Sequence, residues 1–295
     1  MHTQEFIQYL SNEKRYSAHT IRAYQSDIEQ FRTYLVTDYE TSDLTLVKST
    51  QIRSFVAWLI DHKISTKSVN RKLTCLRSFY RFCLRQNFII STPMNKVVSP
   101  RNSKRLPYYI EREGMEKLFS EVKFEDSFIG YRNKAILETF YGTGMRLNEL
   151  RTLTLNHLDL NQNTLKVIGK RNKERIIPFG NSMKKSIMEY LSIKEESFDN
   201  AKQNDFLFVS QSGNELDPKT IYIIVRKYTD QITTIGKRSP HILRHTFATH
   251  LLNEDAPLNA IKEMLGHSSL ASTQIYSHNS ITRLKNIYKQ AHPRA

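Results

Sequence analysis

Three prolines between Ser91 and Pro107 (Pro93, Pro100 and Pro107) rule out one continuous helix across that stretch, since each removes a backbone donor and crowds the turn before it. Lys96, Arg101, Lys104 and Arg105 lie among them, so the stretch reads as a basic interdomain linker. It divides a chain of 295 residues, a length that suits two domains better than one, into a first part over 1–90, a linker over 91–107 and a larger part over 108–295.

The first part carries only helical periodicity. Phe6, Ile7 and Leu10 fit a short helix over 4–12. Ser17 offers an N-cap to a second, whose Ile21, Tyr24, Ile28, Phe31 and Leu35 recur at steps of three and four. A third starts near Thr50, with Ile52, Phe55, Val56, Leu59 and Ile60 inward, and a fourth near Ser65, with Val69, Leu73, Leu76, Tyr80 and Cys83 inward. Arg77, Arg81 and Arg85 recur at every fourth position of this last helix. Like charges at that spacing repel, and a phosphate backbone alongside would relieve them; a solvated basic face fits the same pattern. The net charge of +15 favours the polyanion, because a large basic excess draws nucleic acid. Residues 1–105 hold 17 Lys+Arg against 8 Asp+Glu, so the excess is densest there.

Cys75 and Cys83 fit neither a redox pair nor a zinc set, and read as small core residues of a reduced, intracellular protein. The polar N-terminus MHTQEFIQYLSNEK does not read as a signal peptide, and no apolar run approaches the roughly 18 residues of a membrane span. The expectation is a cytoplasmic protein with no membrane contact.

The larger part mixes elements. Helices are expected at about 111–121 and 127–141, followed by YGTGMRLNEL, in which two glycines precede a helix carrying Arg146 and Glu149. TLKVIG and RIIPFG about the polar KRNKE read as a hairpin, with Lys170 and Arg171 in its turn. A helix over 182–194, a short strand at 206–209 and a helix over 218–233 lead into HILRHTFATHLLNEDAPLNAIKEMLGHSSLASTQIYSH, which holds His241, Arg244, His267 and Tyr276.

Those residue types match what cutting a phosphodiester without metal requires. A nucleophile attacks phosphorus, cationic donors hold the non-bridging oxygens, an acid protonates the leaving 5′ oxygen and a base assists the nucleophile. Arginine suits the oxygens because its planar fork binds two at once. Arg146 and Arg244 are candidate forks, His241 and His267 candidate donors or bases, Lys170 a candidate acid and Tyr276 a candidate nucleophile. Singly, each also fits a duller place: a surface ion pair for Arg146, a helix-face residue for His241, a solvated turn for Lys170, a packed aromatic for Tyr276.

Together the segments GTGMRLNEL, VIGKRNKERIIPFG, HILRHTFATHLL and LGHSSLASTQIYSH resemble, in order, the boxes of the tyrosine recombinase (phage-integrase-like) family. Arg146 precedes Lys170 by 24 residues, His241 precedes Arg244 by three, Arg244 precedes His267 by 23, and His267 precedes Tyr276 by nine. One departure is Arg171 where the family hairpin usually has Gly after its lysine.

The resemblance covers almost the whole chain and is greatest to the bacterial Xer group. It implies a mostly α protein with a small β-sheet, in which a helical, SAM-like core-binding domain and an α+β catalytic domain form a C-shaped clamp. The implied catalytic set is Arg146, Lys170, His241, Arg244, His267 and Tyr276, with Glu149 orienting Arg146. Arg77, Arg81, Arg85, Arg101, Lys104, Arg105 and Arg171 are candidate DNA contacts. The implied reaction joins Tyr276 to a 3′ phosphate of DNA and needs no cofactor, metal or ATP. Implied partners are double-stranded DNA with a specific recombination site, a homo- or hetero-tetramer on two duplexes, and a DNA translocase of the cell-division machinery. The implied role is chromosome or plasmid dimer resolution. Integration of a mobile element, a type IB topoisomerase and a non-catalytic DNA-binding regulator are the alternatives, the last opposed by the complete set of six. In the family the helix after the tyrosine docks into a neighbouring protomer; Ile281, Leu284, Ile287 and Tyr288 would serve that or packing on their own domain.

Overall fold

A computed structural model of the chain describes residues 2–101, 108–169, 173–198, 205–236, 238–266 and 278–295. It divides into two compact units, Met1–Arg105 and Leu106–Ala295, each with its own apolar core.

The first unit is helical: α1 (His2–Asn12), α2 (Ala18–Tyr39), α3 (Ser49–Asp61) and α4 (Thr66–Arg85). Ser17 and Ser65 start α2 and α4 by accepting from the amides of Thr20 and Ser68, which satisfies a donor with no partner inside the helix. Val69, Leu73, Leu76, Tyr80 and Cys83 of α4 are buried, and Phe6, Phe31, Phe55 and Phe79 join them in the core. Both cysteines are buried and unbridged.

The second unit begins with α5 (Arg112–Ser120), α6 (Phe128–Thr143) and α7 (Leu147–Arg151). Strands β1 (Leu158–Asp159), β2 (Thr164–Ile168) and β3 (Glu174–Pro178) form one antiparallel sheet in chain order, with Val167 opposite Arg175. Then come α8 (Asn181–Ser197), α9 (Pro218–Thr229), α10 (Pro240–Asn253), α11 (Leu258–Leu265) and α12 (His278–Ala291). Ala135, Ile136, Leu137, Phe140 and Tyr141 of α6 are all buried, which makes it a central helix covered on every side. The expected strand at 206–209 is not one. Phe206 bridges Thr154 and Val209 bridges Glu215, single pairings with different partners that build no ladder. No helix among the described residues is long and apolar enough to cross a membrane.

Of helix α12, Leu284, Tyr288 and Ala291 are buried in the core of the second unit. His292 follows them inward. Its ring stacks on Tyr288 at 4.7 Å, Nε2 donates to the Tyr141 carbonyl at 3.2 Å, and Nδ1 accepts from the Arg294 amide at 3.1 Å. Only the neutral tautomer satisfies both contacts, and burial pushes its pKa down to about 3. The unfolded chain therefore binds the extra proton first. This contribution to stability is complete above about pH 6.5 and falls as pH drops towards 3, by at most about 1.4 kcal/mol per pH unit. Urea unfolding at pH 7, 6 and 5 should show a shallower loss for His292→Gln than for the unsubstituted chain; parallel losses would mean that His292 titrates alike folded and unfolded.

Candidate active site

Helix α6 ends at Gly144, whose φ of +59° lies in the left-handed region and whose amide closes the helix on the Phe140 carbonyl at 2.9 Å. A Cβ there would meet Phe247 Cδ1 at 2.4 Å and Leu265 Cδ2 at 2.9 Å, so glycine is required by space as well as by conformation. The turn buries Met145 and brings Arg146 to the N-cap of α7.

Three residues on, Glu149 folds back. Its Oε2 accepts from the Arg146 amide at 2.7 Å and its Oε1 from the Arg146 guanidinium at 2.9 Å. The glutamate side chain is 6% exposed and that of Arg146 41% exposed, so a buried carboxylate steadies an outward-reaching cation. Burial alone would raise the pKa of Glu149, but hydrogen bonds from Arg175 and Arg146 outweigh it and hold the carboxyl below its ordinary value.

Arg244 lies on the inner face of α10, 8% exposed. Its two terminal nitrogens donate to the Gly144 and Leu265 carbonyls, each at 2.7 Å. Burial, then the nearby Arg146 guanidinium, pushes its pKa down to about 10, with Glu149 opposing and Arg175 adding to the effect. It stays charged at neutral pH. Two guanidinium groups, of Arg146 and Arg175, thus share one carboxylate with the charged Arg244 nearby, an arrangement that favours an anion.

His241 stands exposed in the first turn of α10. On the same helix His245 is exposed, whereas His250 is buried with Nδ1 2.9 Å from the Tyr141 hydroxyl. Among the described residues no group of three or more His, Cys, Asp or Glu is placed to hold a metal ion. Lys170, Arg171, His267 and Tyr276 lie outside the described residues, as do Lys104 and Arg105. In sequence, Lys170 and Arg171 stand between paired strands β2 and β3, and His267 follows Gly266, the left-handed cap of α11.

The structure adds Arg175, which sequence reasoning missed. Its guanidinium grips both Glu149 oxygens, at 3.0 and 2.8 Å, and its Nε donates to the Met264 carbonyl at 2.7 Å. The available signal was strand alternation: Arg175 shares its inward face with Ile177, and an arginine in register with core residues needs a reason.

In the first unit the three arginines of α4 differ. Arg77 donates to the Val97 carbonyl and the Ser99 hydroxyl, at 3.2 and 3.0 Å, and Arg85 pairs with Glu13 at 2.7 Å. Arg81 is exposed, and Arg101 is exposed just before residue 102.

Residues 109–283 match the model described as the phage integrase family, and residues 3–87 match that of the phage integrase N-terminal SAM-like domain. The chain is 38% identical over 293 residues to tyrosine recombinase XerC of Listeria welshimeri, covering 99% of this chain and 97% of that one. It is 39% identical over 293 residues to tyrosine recombinase XerC of Bacillus subtilis, covering 98% and 95%. Among solved structures it resembles XerH site-specific recombinase bound to a palindromic difH substrate in a post-cleavage complex, with a TM-score of 0.74 and 22% identity over 96% of this chain and 83% of that one. It also resembles the Tn1549 transposon integrase in complex with a circular intermediate DNA, with a TM-score of 0.73 and 18% identity over 97% and 94%. These two likenesses are of fold.

Proposed function

This chain belongs to the phage integrase family, and from that premise we propose that it is a Xer-type site-specific tyrosine recombinase acting on chromosome or plasmid dimers in the cytoplasm. The observation that carries the chemistry is the shared mounting of Arg146 and Arg244, which hang from the two ends of one three-residue turn, the first through Glu149 and the second through the Gly144 carbonyl. Two forks fixed this way can hold the non-bridging oxygens of one phosphate as charge moves onto them.

In the proposed reaction Tyr276 attacks the phosphorus of one strand. A 3′-phosphotyrosyl bond forms as the bond to the 5′ oxygen breaks, and Lys170 gives that oxygen its proton. His241 and His267 donate to the phosphate or assist the tyrosine. A 5′ hydroxyl from the partner duplex then attacks the phosphotyrosyl phosphorus and releases the tyrosine, so the number of phosphodiester bonds is unchanged and no cofactor is consumed. Residues 1–90 and the linker over 91–107 grip the duplex in a tetramer that holds two DNA sites, and a DNA translocase is the expected regulator. Arg101, Lys104, Arg105 and Arg171 contribute further phosphate contacts.

Selection of bound duplexes from a random pool, mapped onto the genome and joined to a covalent-trapping assay, tests the reading. One chromosomal site that is cut and rejoined is expected. Sites at the ends of a mobile element would assign integration instead, and binding without a covalent adduct would assign a regulator. Among the arginines of α4, Arg81→Ala should lower the slope of log affinity against log salt by about 0.9 and leave folding intact, because its side chain is exposed and each phosphate neutralised contributes about that much to the slope. Arg77→Ala should instead lower stability by about 1 kcal/mol through its bonds to Val97 and Ser99. An unchanged salt slope in Arg81→Ala would make its face a solvated one.

A further inference from the structure

We propose that Arg175 is a positioning residue for strand cleavage: from β3 it fixes Glu149, and through Glu149 the Arg146 guanidinium, in the same frame as Arg244. The proposal rests on the recombinase reading of those two arginines.

The hydrogen bonds form a closed circuit. Arg244 joins the Gly144 carbonyl to the Leu265 carbonyl. From Gly144 the chain runs two residues to Arg146, which is held by Glu149. Glu149 is gripped fork to fork by Arg175, whose Nε reaches the Met264 carbonyl, next in the chain to Leu265. Four chain segments meet in this circuit, and Arg175 is its link between the carboxylate and the end of α11.

Without that link Glu149 would be a buried carboxylate whose remaining partner in the circuit is the half-exposed Arg146 beside it on α7, and its plane could turn. The two parallel bonds from Arg175 set that plane and therefore the direction from which Arg146 is held. Arg175 also lies against the turn that ends α11: a Cβ on Gly266 would come within 3.1 Å of its Cδ and Nη1. Its side chain is 5% exposed, so it steadies the site from behind and touches no substrate. A bidentate fork held at both faces is demanding in geometry, and lysine offers charge without the fork.

The test compares the unsubstituted chain with Arg175→Lys and Arg175→Met, each also combined with Glu149→Gln. Three quantities are read: single-turnover adduct formation on a nicked duplex carrying the selected site, affinity for the unnicked duplex, and the rate of rotation about the Nε–Cζ bond of Arg146, by NMR without DNA. Displacing a reacting group by about 1 Å costs on the order of 10²-fold. Arg175→Lys should therefore form adduct about 100-fold more slowly while binding within threefold, and the Arg146 rotation should quicken at least about tenfold. If Arg175 acts through Glu149, the double variant should be no slower than the slower single variant, whereas a general loss of packing would multiply the two defects. Adduct formation at the unsubstituted rate in Arg175→Lys, or losses in cleavage matched by binding with Arg146 rotation unchanged, would overturn the proposal. Faster Arg146 rotation in a protein whose unsubstituted form makes no adduct would uphold the positioning and remove the recombinase reading.

Discussion

A Tyr276→Phe variant is expected to bind its duplex at the unsubstituted affinity and to form no covalent protein–DNA adduct, a loss of at least about 10⁴-fold. The substitution removes one oxygen and keeps the ring, so charge is unaltered while the atom proposed to become bonded to phosphorus is gone. The next tyrosine in the chain cannot readily take its place. Tyr288, twelve residues on, is buried and stacked on His292, and burial raises its pKa, so its phenol is neither exposed nor easily ionised. The assay uses a duplex nicked beside the scissile phosphate, from which the released 5′-hydroxyl fragment diffuses away and leaves the adduct trapped. An adduct that persists in Tyr276→Phe would remove the assignment.

Arg244→Lys should slow the same step by about 10²- to 10³-fold, and should do so in a way that depends on pH. The arginine spans two carbonyls, of Gly144 and Leu265, with the two arms of one planar group. A lysine ammonium cannot reach both in that geometry. Its charge is also at risk. The burial and like-charge crowding that leave the arginine at about 10 would act on a group whose ordinary pKa is about two units below that of arginine. The lysine would then lose its proton within the range of a cleavage assay. Adduct formation by Arg244→Lys should therefore decline further as pH rises from 7 to 9, over which the unsubstituted arginine stays charged. A rate equal to that of the unsubstituted chain, or a defect flat across that range, would count against the electrostatic role.

Much of the fold could be read directly from the residues because it is locally determined. The α4 stripe from Val69 to Cys83 and the Ser17 and Ser65 caps depend on neighbours within four positions, and so does the Arg146–Glu149 pair. What escaped depends on distance along the chain. Arg244 meets the Gly144 carbonyl across 100 residues, and Arg175 meets Met264 across 89, contacts that no periodicity encodes. Arg77 looked like part of a uniform basic row, yet it donates to Val97 and Ser99, because a helix pattern says which way a side chain leaves and not what another segment brings to it. The stretch at 206–209 had the composition of a strand but found single partners in two places. For Lys170, His267 and Tyr276, spacing and family resemblance carry the assignment.

The turn at Gly144 has a consequence for how such a chain tolerates change over many generations. One backbone conformation there orients two cations, and Gly266 leaves room for a third, so neither position can vary without disturbing several partners at once. In a saturation screen for strand exchange, these two positions, which bring no reactive side chain, should prove as intolerant as the proposed nucleophile, Tyr276. An inventory of chemical groups would overlook them; a map of permitted substitutions would place them at the centre.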